Sequence, residues 1–163
     1  MSTEATQASA LSLVLEIIEA RLTAPNMRAI SDAHIVPFIP QDKQTEFMHA
    51  LRAQKQALTE QHQAQLLVHR FNQRLAAERE ALGAVTDSHE RFELQHDVRS
   101  VEKRIVVKEE ELKAAERAAT SATNKVLGLC TVFDAAGARR LVDLAQGDER
   151  ATRLAALLDE LGA

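Results

Sequence analysis

The sequence holds no tryptophan and no tyrosine, and only five phenylalanines, five glycines, three prolines and one cysteine among its 163 residues. Each scarcity excludes something. A β-sandwich or barrel needs many turns and strands rich in β-branched and aromatic residues, so this composition argues against both. It also disfavours a deep aromatic-lined pocket. A single cysteine, Cys130, rules out an intrachain disulfide and a Cys-rich metal site. Set in the apolar run 126–133, it reads as a small buried hydrophobe. No apolar stretch approaches the ~18 residues of a membrane span, and the first residues lack the basic start of a secretory leader. The expected location is the cytoplasm, or a particle assembled there. Neither sign of charge dominates. The net charge is −4, and segments 1–40, 41–82, 83–125 and 126–163 carry −2, +1, −1 and −2. None is basic enough to track a phosphate backbone.

What the chain has instead is alanine and leucine, 28 and 20 residues respectively, both strong helix formers. An all-α fold is expected, in three parts: an N-terminal helix with an irregular apolar arm (1–41), a long antiparallel coiled-coil helical hairpin (42–133), and a short helical pair (134–163). In the first part Leu11, Val14, Leu15, Ile18 and Leu22 recur at helical spacings and predict a helix over about 9–23, closed by Pro25. Residues 24–41 read as irregular. Within them Ile35, Val36, Phe38 and Ile39 lean towards β structure, with Pro37 limiting the segment to an edge strand or a docked extended arm. From 41 to 124 there is no proline and one glycine, Gly83. Gly83 suits a helix C-terminus at positive φ, and Asp87 with Glu90 resembles a capping box. Two helices of about 40 residues, each roughly 60 Å long, should therefore run antiparallel about a turn at 83–87.

The second long helix carries a seam of Leu94, Val98, Val101, Ile105, Lys108, Leu112, Ala115, Ala119, Ala122, Val126, Leu129 and Phe133, in alternating steps of four and three. A sustained 3.5-residue period marks a left-handed coiled coil. The matching row on the first long helix is Phe47, Leu51, Gln54, Leu58, Gln61, Gln65, Val68, Asn72, Leu75, Arg79 and Leu82. Polar residues interrupt it, and Leu66, Leu67 and Phe71 suggest that its stripe shifts register halfway. The small Ala115, Ala119 and Ala122 bury little against such a helix, so a third element should pack there, with the 11–22 stripe as the candidate. In the last part Asp134 caps a helix through Leu144. Gln146, Gly147 and Asp148 stop it and cap a final helix that Gly162 ends.

Two Glu-x-x-His sequences, at Glu46/His49 and Glu93/His96, have the spacing with which helical bundles hold two metals. The hairpin separates them by roughly 35 Å along its axis, so no metal or other cofactor is expected. His62/His69 and His89/His96 are each seven apart and share helix faces, solvated or flanking the seam, with scope for a pH-sensitive interface. There is no Gly-rich phosphate loop, nucleophile elbow or His-Glu-x-x-His site. The reading is a non-enzymatic structural protein: a stalk, spacer or adaptor in a homo-oligomer or multi-protein complex, as in a virion, secretion apparatus or chaperone. Gln54, Gln61 and Lys108 would set register or partner number. Its partners would be proteins or second copies, and no membrane. Ala115, Ala119 and Ala122 are candidate self-association residues, and residues 35–39 are either a docking arm or an intramolecular cover. An alternative is an oligomer that displays Arg139, Arg140, Arg150 and Arg153 to nucleic acid. A third is a di-metal helical enzyme.

Overall fold

The computed structural model describes residues 2–24 and 30–163. Pro25, expected to close the first helix, lies outside the described residues. The fold is all-α, with helices α1 (Thr3–Leu22), α2 (Asp32–Ile35), α3 (Gln44–Ala84), α4 (Ser88–Leu129), α5 (Ala135–Leu144) and α6 (Glu149–Glu160), and no strand among the described residues. None of these helices is long and apolar enough to cross a membrane. The chain divides into two compact units, one of residues 1–54 with 121–163, the other of residues 55–120.

The first unit has one core. Ala10, Val14, Ile17, Ile18 and Leu22 of α1 meet Phe47, Ala50 and Leu51 of α3, Val126 of α4, Leu141 of α5, and Leu154 and Leu158 of α6. The N-terminal helix starts at Thr3 rather than near residue 9, because the Ser2 hydroxyl accepts from Ala5 N at 3.2 Å and satisfies an end donor. Its first turns are polar, so apolar spacing alone could not reveal them. Residues 35–38 are helical rather than extended, and Ile39 alone takes an extended conformation. The single turn of α2 runs into a 3₁₀ turn at Val36–Phe38, where Pro37 occupies an early position that needs no N–H. A second 3₁₀ turn, Gln41–Lys43, leads into α3.

α4 stops at Leu129, so the heptad row does not continue to Phe133 as a helix. Cys130 N turns back onto Leu127 O, and Val132 N donates to Phe38 O at 3.0 Å, which ties the α4–α5 connection to the 35–39 segment. Phe133 still packs against the core. The Asp134 carboxylate then accepts from Gly137 N at 2.8 Å and starts α5. Between α5 and α6, Gly147 takes a φ of 90°, and Asp148 caps α6 through Arg150 N.

The second unit is a helical hairpin. The end of α3 and the start of α4 are joined through residues 85–87, and Asp87 caps α4, its carboxylate accepting from His89 N at 3.0 Å. Gly83 is not at positive φ; α3 runs past it to Ala84, and the chain leaves directly through 85–87. Leu75 of α3 is buried with Val98, Val101 and Ile105 of α4, and Phe71 and Leu82 pack against them.

On α4 every seam position from Leu94 to Leu129 is buried or half-buried. On α3 the inward row differs in phase from the expected one. Phe47, Ala50, Gln54, Ala57, Gln61, Ala64, Val68, Phe71, Leu75, Glu78 and Leu82 are shielded, while Gln65, Asn72 and Arg79 are exposed. Leu51 is buried and Leu58 half-buried as well, so the expected row holds as far as Gln61 and gives way beyond it to the row through Ala64, Phe71 and Glu78. The row was obscured because alanines and a glutamate fill alternate places where large apolar residues would have revealed it.

Two glycines test this packing with one substitution. A Cβ on Gly137 would lie 2.9 Å from both the Pro37 Cβ and the Asp134 Oδ2, whereas nothing lies within 4 Å of one on Gly83. Gly137→Ala should lose about 1–3 kcal/mol to overpacking. Gly83→Ala should gain about 0.5 kcal/mol by restricting the unfolded chain. Urea denaturation of both variants measures the two opposite signs.

Candidate functional site

The apolar segment 35–39 is committed to its own core. Ile35 and Phe38 expose no surface, Ile39 is buried and Val36 half-buried. Of the small row on α4, Ala119 is buried and Ala115 and Ala122 are half-buried, so these side chains too are turned away from solvent. The seam residues Val98, Val101 and Ile105 are buried, and Leu94 and Leu112 half-buried. Neither set of candidate contact residues therefore offers a free apolar face. The exposed large apolar side chains lie elsewhere. In the second unit they are Leu66 and Leu67 on α3 and Phe92, Val106 and Val107 on α4. Pattern reading drew Leu66 and Leu67 into the α3 stripe; the signal that they face outward is their place outside the 61–64–68 row.

The arginines of the helical pair are largely engaged within the chain. Arg139 pairs with Asp159 and donates to Ala163 O. Arg140 Nε donates to Ala136 O at 3.4 Å. Arg150 grips both oxygens of Asp148, at 3.1 and 2.8 Å, and reaches Glu16 O on α1 at 3.3 Å. Together with Arg21, which donates to Leu144 O at 3.1 Å, it ties α1 to the helical pair. Beside Arg150 a shallow depression of about 480 Å³ is lined by Glu16, Glu19, Ala20, Thr23 and Arg153. Its charges are of both signs, and nothing in it assembles a nucleophile with a base. A second depression, of about 410 Å³, follows one helical face past Phe92, Glu93, His96 and Asp97.

His49, His62, His69, His89 and His96 are exposed, and His89 sits 3.2 Å from Glu93 one turn on. Among the described residues no group of three or more His, Cys, Asp or Glu side chains comes together as a metal site. The buried polar feature of the first unit is Gln54, which exposes no surface. Its Nε2 donates to Leu22 O, the last residue of α1, at 3.2 Å and lies 3.4 Å from Thr123 Oγ1 of α4. Its Oε1 has no hydrogen-bond partner among the described residues. No known protein family's sequence profile matches the chain, and no curated protein or solved structure matches it.

Two titratable groups are perturbed in ways that can be measured. Burial pushes the Cys130 thiol up to about 12, so the reactive thiolate is scarce in the native state. A thiol reagent at pH 8 should leave Cys130 unmodified in the folded chain and modify it fully in denaturant. The Arg150 guanidinium, hydrogen-bonded to Asp148, holds that carboxyl below its usual range. A depressed native value adds stability above the ordinary aspartate value near ~3.9, and that stability is lost as the pH falls through the native value. Asp148→Ala should cost about 1 kcal/mol at pH 7 through the lost cap. Its difference from the wild type should shrink towards zero in acid, as thermal melts at both pH values would record.

Proposed function

We propose that the chain is a non-catalytic helical assembly protein whose second unit is an antiparallel coiled-coil hairpin serving as a stalk, spacer or adaptor between protein partners. The observation that carries this reading is the pair of heptad rows facing one another in the second unit. Leu75, Val98, Val101 and Ile105 supply its apolar centre, and Arg79 pairs with Glu102 across the helices at 3.0 Å. Both charged residues flank the seam on the same side, as the positions beside an antiparallel coiled-coil core do. The seam is filled by valine, leucine, isoleucine, alanine and Phe71, with Gln61, Glu78 and Lys108 among them. Such a seam makes an ordered rod segment and leaves no chamber for a substrate. Arg139 and Arg150 are held in ion pairs within the chain, which leaves chiefly Arg140 and Arg153 to the nucleic-acid alternative.

The test is recovery of tagged full-length chain from its native source after brief crosslinking, beside Val101→Asp, which breaks the hairpin core. Defined protein partners or untagged copies of the chain should accompany the wild type and be lost with the variant. Recovery of the 18.0 kDa chain alone, or with nucleic acid that nuclease removes along with every protein, would overturn the reading.

A further inference from the structure

On the hairpin's side opposite the Arg79–Glu102 pair, Leu67 of α3 and Val107 of α4 are 38% and 55% exposed, and Leu66 at the rim is 42% exposed. Antiparallel folding about residues 85–87 puts Leu67 level with Val107, Arg70 with Arg104, and Glu60 with Glu111, each within about one helical turn. The charges around the apolar centre are sorted by direction. Towards the turn lie Arg70, Arg74 and Arg104; away from it lie Glu60 and Glu111, with Gln63 between. All six are exposed. Some have local partners: Arg74 bonds Glu78, Lys108 bonds Glu111, and Gln56 bonds Glu60. Arg70 and Arg104 form no ion pair among the described residues. Still nearer the turn the same side carries Asp97 and Glu93, and beyond Glu111 it carries Ala114 and Ala118.

A face with a positive end, an apolar centre and a negative end is complementary to itself under a two-fold rotation. We propose that a second copy of this chain docks here, hairpin against hairpin and antiparallel, about an axis through Leu67 and Val107. Arg104 of each copy then meets Glu111 of the other, Arg74 meets Glu60, and Leu67 and Val107 are covered. An isologous contact of this kind closes on itself and gives a dimer rather than a filament. The proposal rests on the assembly reading and names one partner for it.

Sedimentation equilibrium of the full chain at low salt tests it, with circular dichroism to show that each variant keeps its helices. Arg104 and Glu111 stand seven residues apart on one helix, roughly 10 Å, too far to pair within a copy. Any rescue between them must cross the two-fold. The wild type should be a dimer. Arg104→Glu and Glu111→Arg should each weaken dimerisation by roughly tenfold, and the double variant should recover to within about threefold of the wild type. Val107→Asp should leave a monomer. A wild-type monomer at several hundred micromolar, a dimer indifferent to these changes, or a double variant as weak as its singles would each overturn the contact. If the chain is monomeric but still recovers its protein partners from the native source, the two-fold contact fails and the assembly reading stands. If it recovers none, both fail.

Discussion

The two long helices can pack only while each keeps one row of side chains turned to the other. In the second unit no other element contributes to the buried cluster of Leu75, Val98, Val101 and Ile105. Its order therefore depends on those facing rows and on the few ion pairs flanking them. Alanines at 57, 64, 115 and 119 let helices approach closely but bury little area each. The apolar weight is carried by the residues nearer the turn. The first unit is built on another plan, with α1 apolar on most of its circumference and surrounded by elements from both ends of the sequence.

This contrast governs what the sequence made legible. The α4 row could be read directly, since large apolar residues occupy it from Leu94 to Ile105 at strict spacing. The α3 row could not, because Ala50, Ala57, Ala64 and Glu78 are weak markers and Leu51 and Leu58 beside them are strong ones. Caps and stops at Asp134, Asp148 and Gly162 were legible because each depends on local chemistry alone. The α1 start needed attention to Ser2, a single hydroxyl ahead of a polar turn. Residues 35–39 were opaque for a physical reason: their β-branched character favours extended backbone locally, while burial of Ile35 and Phe38 against α5 favours a helical path.

The same logic applies to function. The apolar cluster at 35–39 fitted either a docking arm or an intramolecular cover, and Ile35, Phe38 and Ile39 are buried in the core of the first unit. In the second unit the exposed large apolar side chains lie on the regular helices, outside the rows that the two helices turn to one another. Leu67 and Val107 become visible only once the true row of α3 is known, because a residue's exposure on a two-helix rod follows from the phase of that row. The engaged arginines and the scattered histidines are arranged along surfaces and helix ends rather than around a common centre.

One buried amide has a consequence for how these helices find their partners. A seam rich in alanine repeats itself every seven residues, so sliding one helix by a heptad loses little packing energy. Gln54 breaks that degeneracy in the first unit, because its amide lies between the last carbonyl of α1 and the Thr123 hydroxyl. A slip of one heptad would set Glu116 in the place of Thr123, burying a carboxylate where the single Nε2 donor of Gln54 faces it. Gln54 keeps these two partners only in the aligned pairing, so a slip would cost a buried amide its hydrogen bonds.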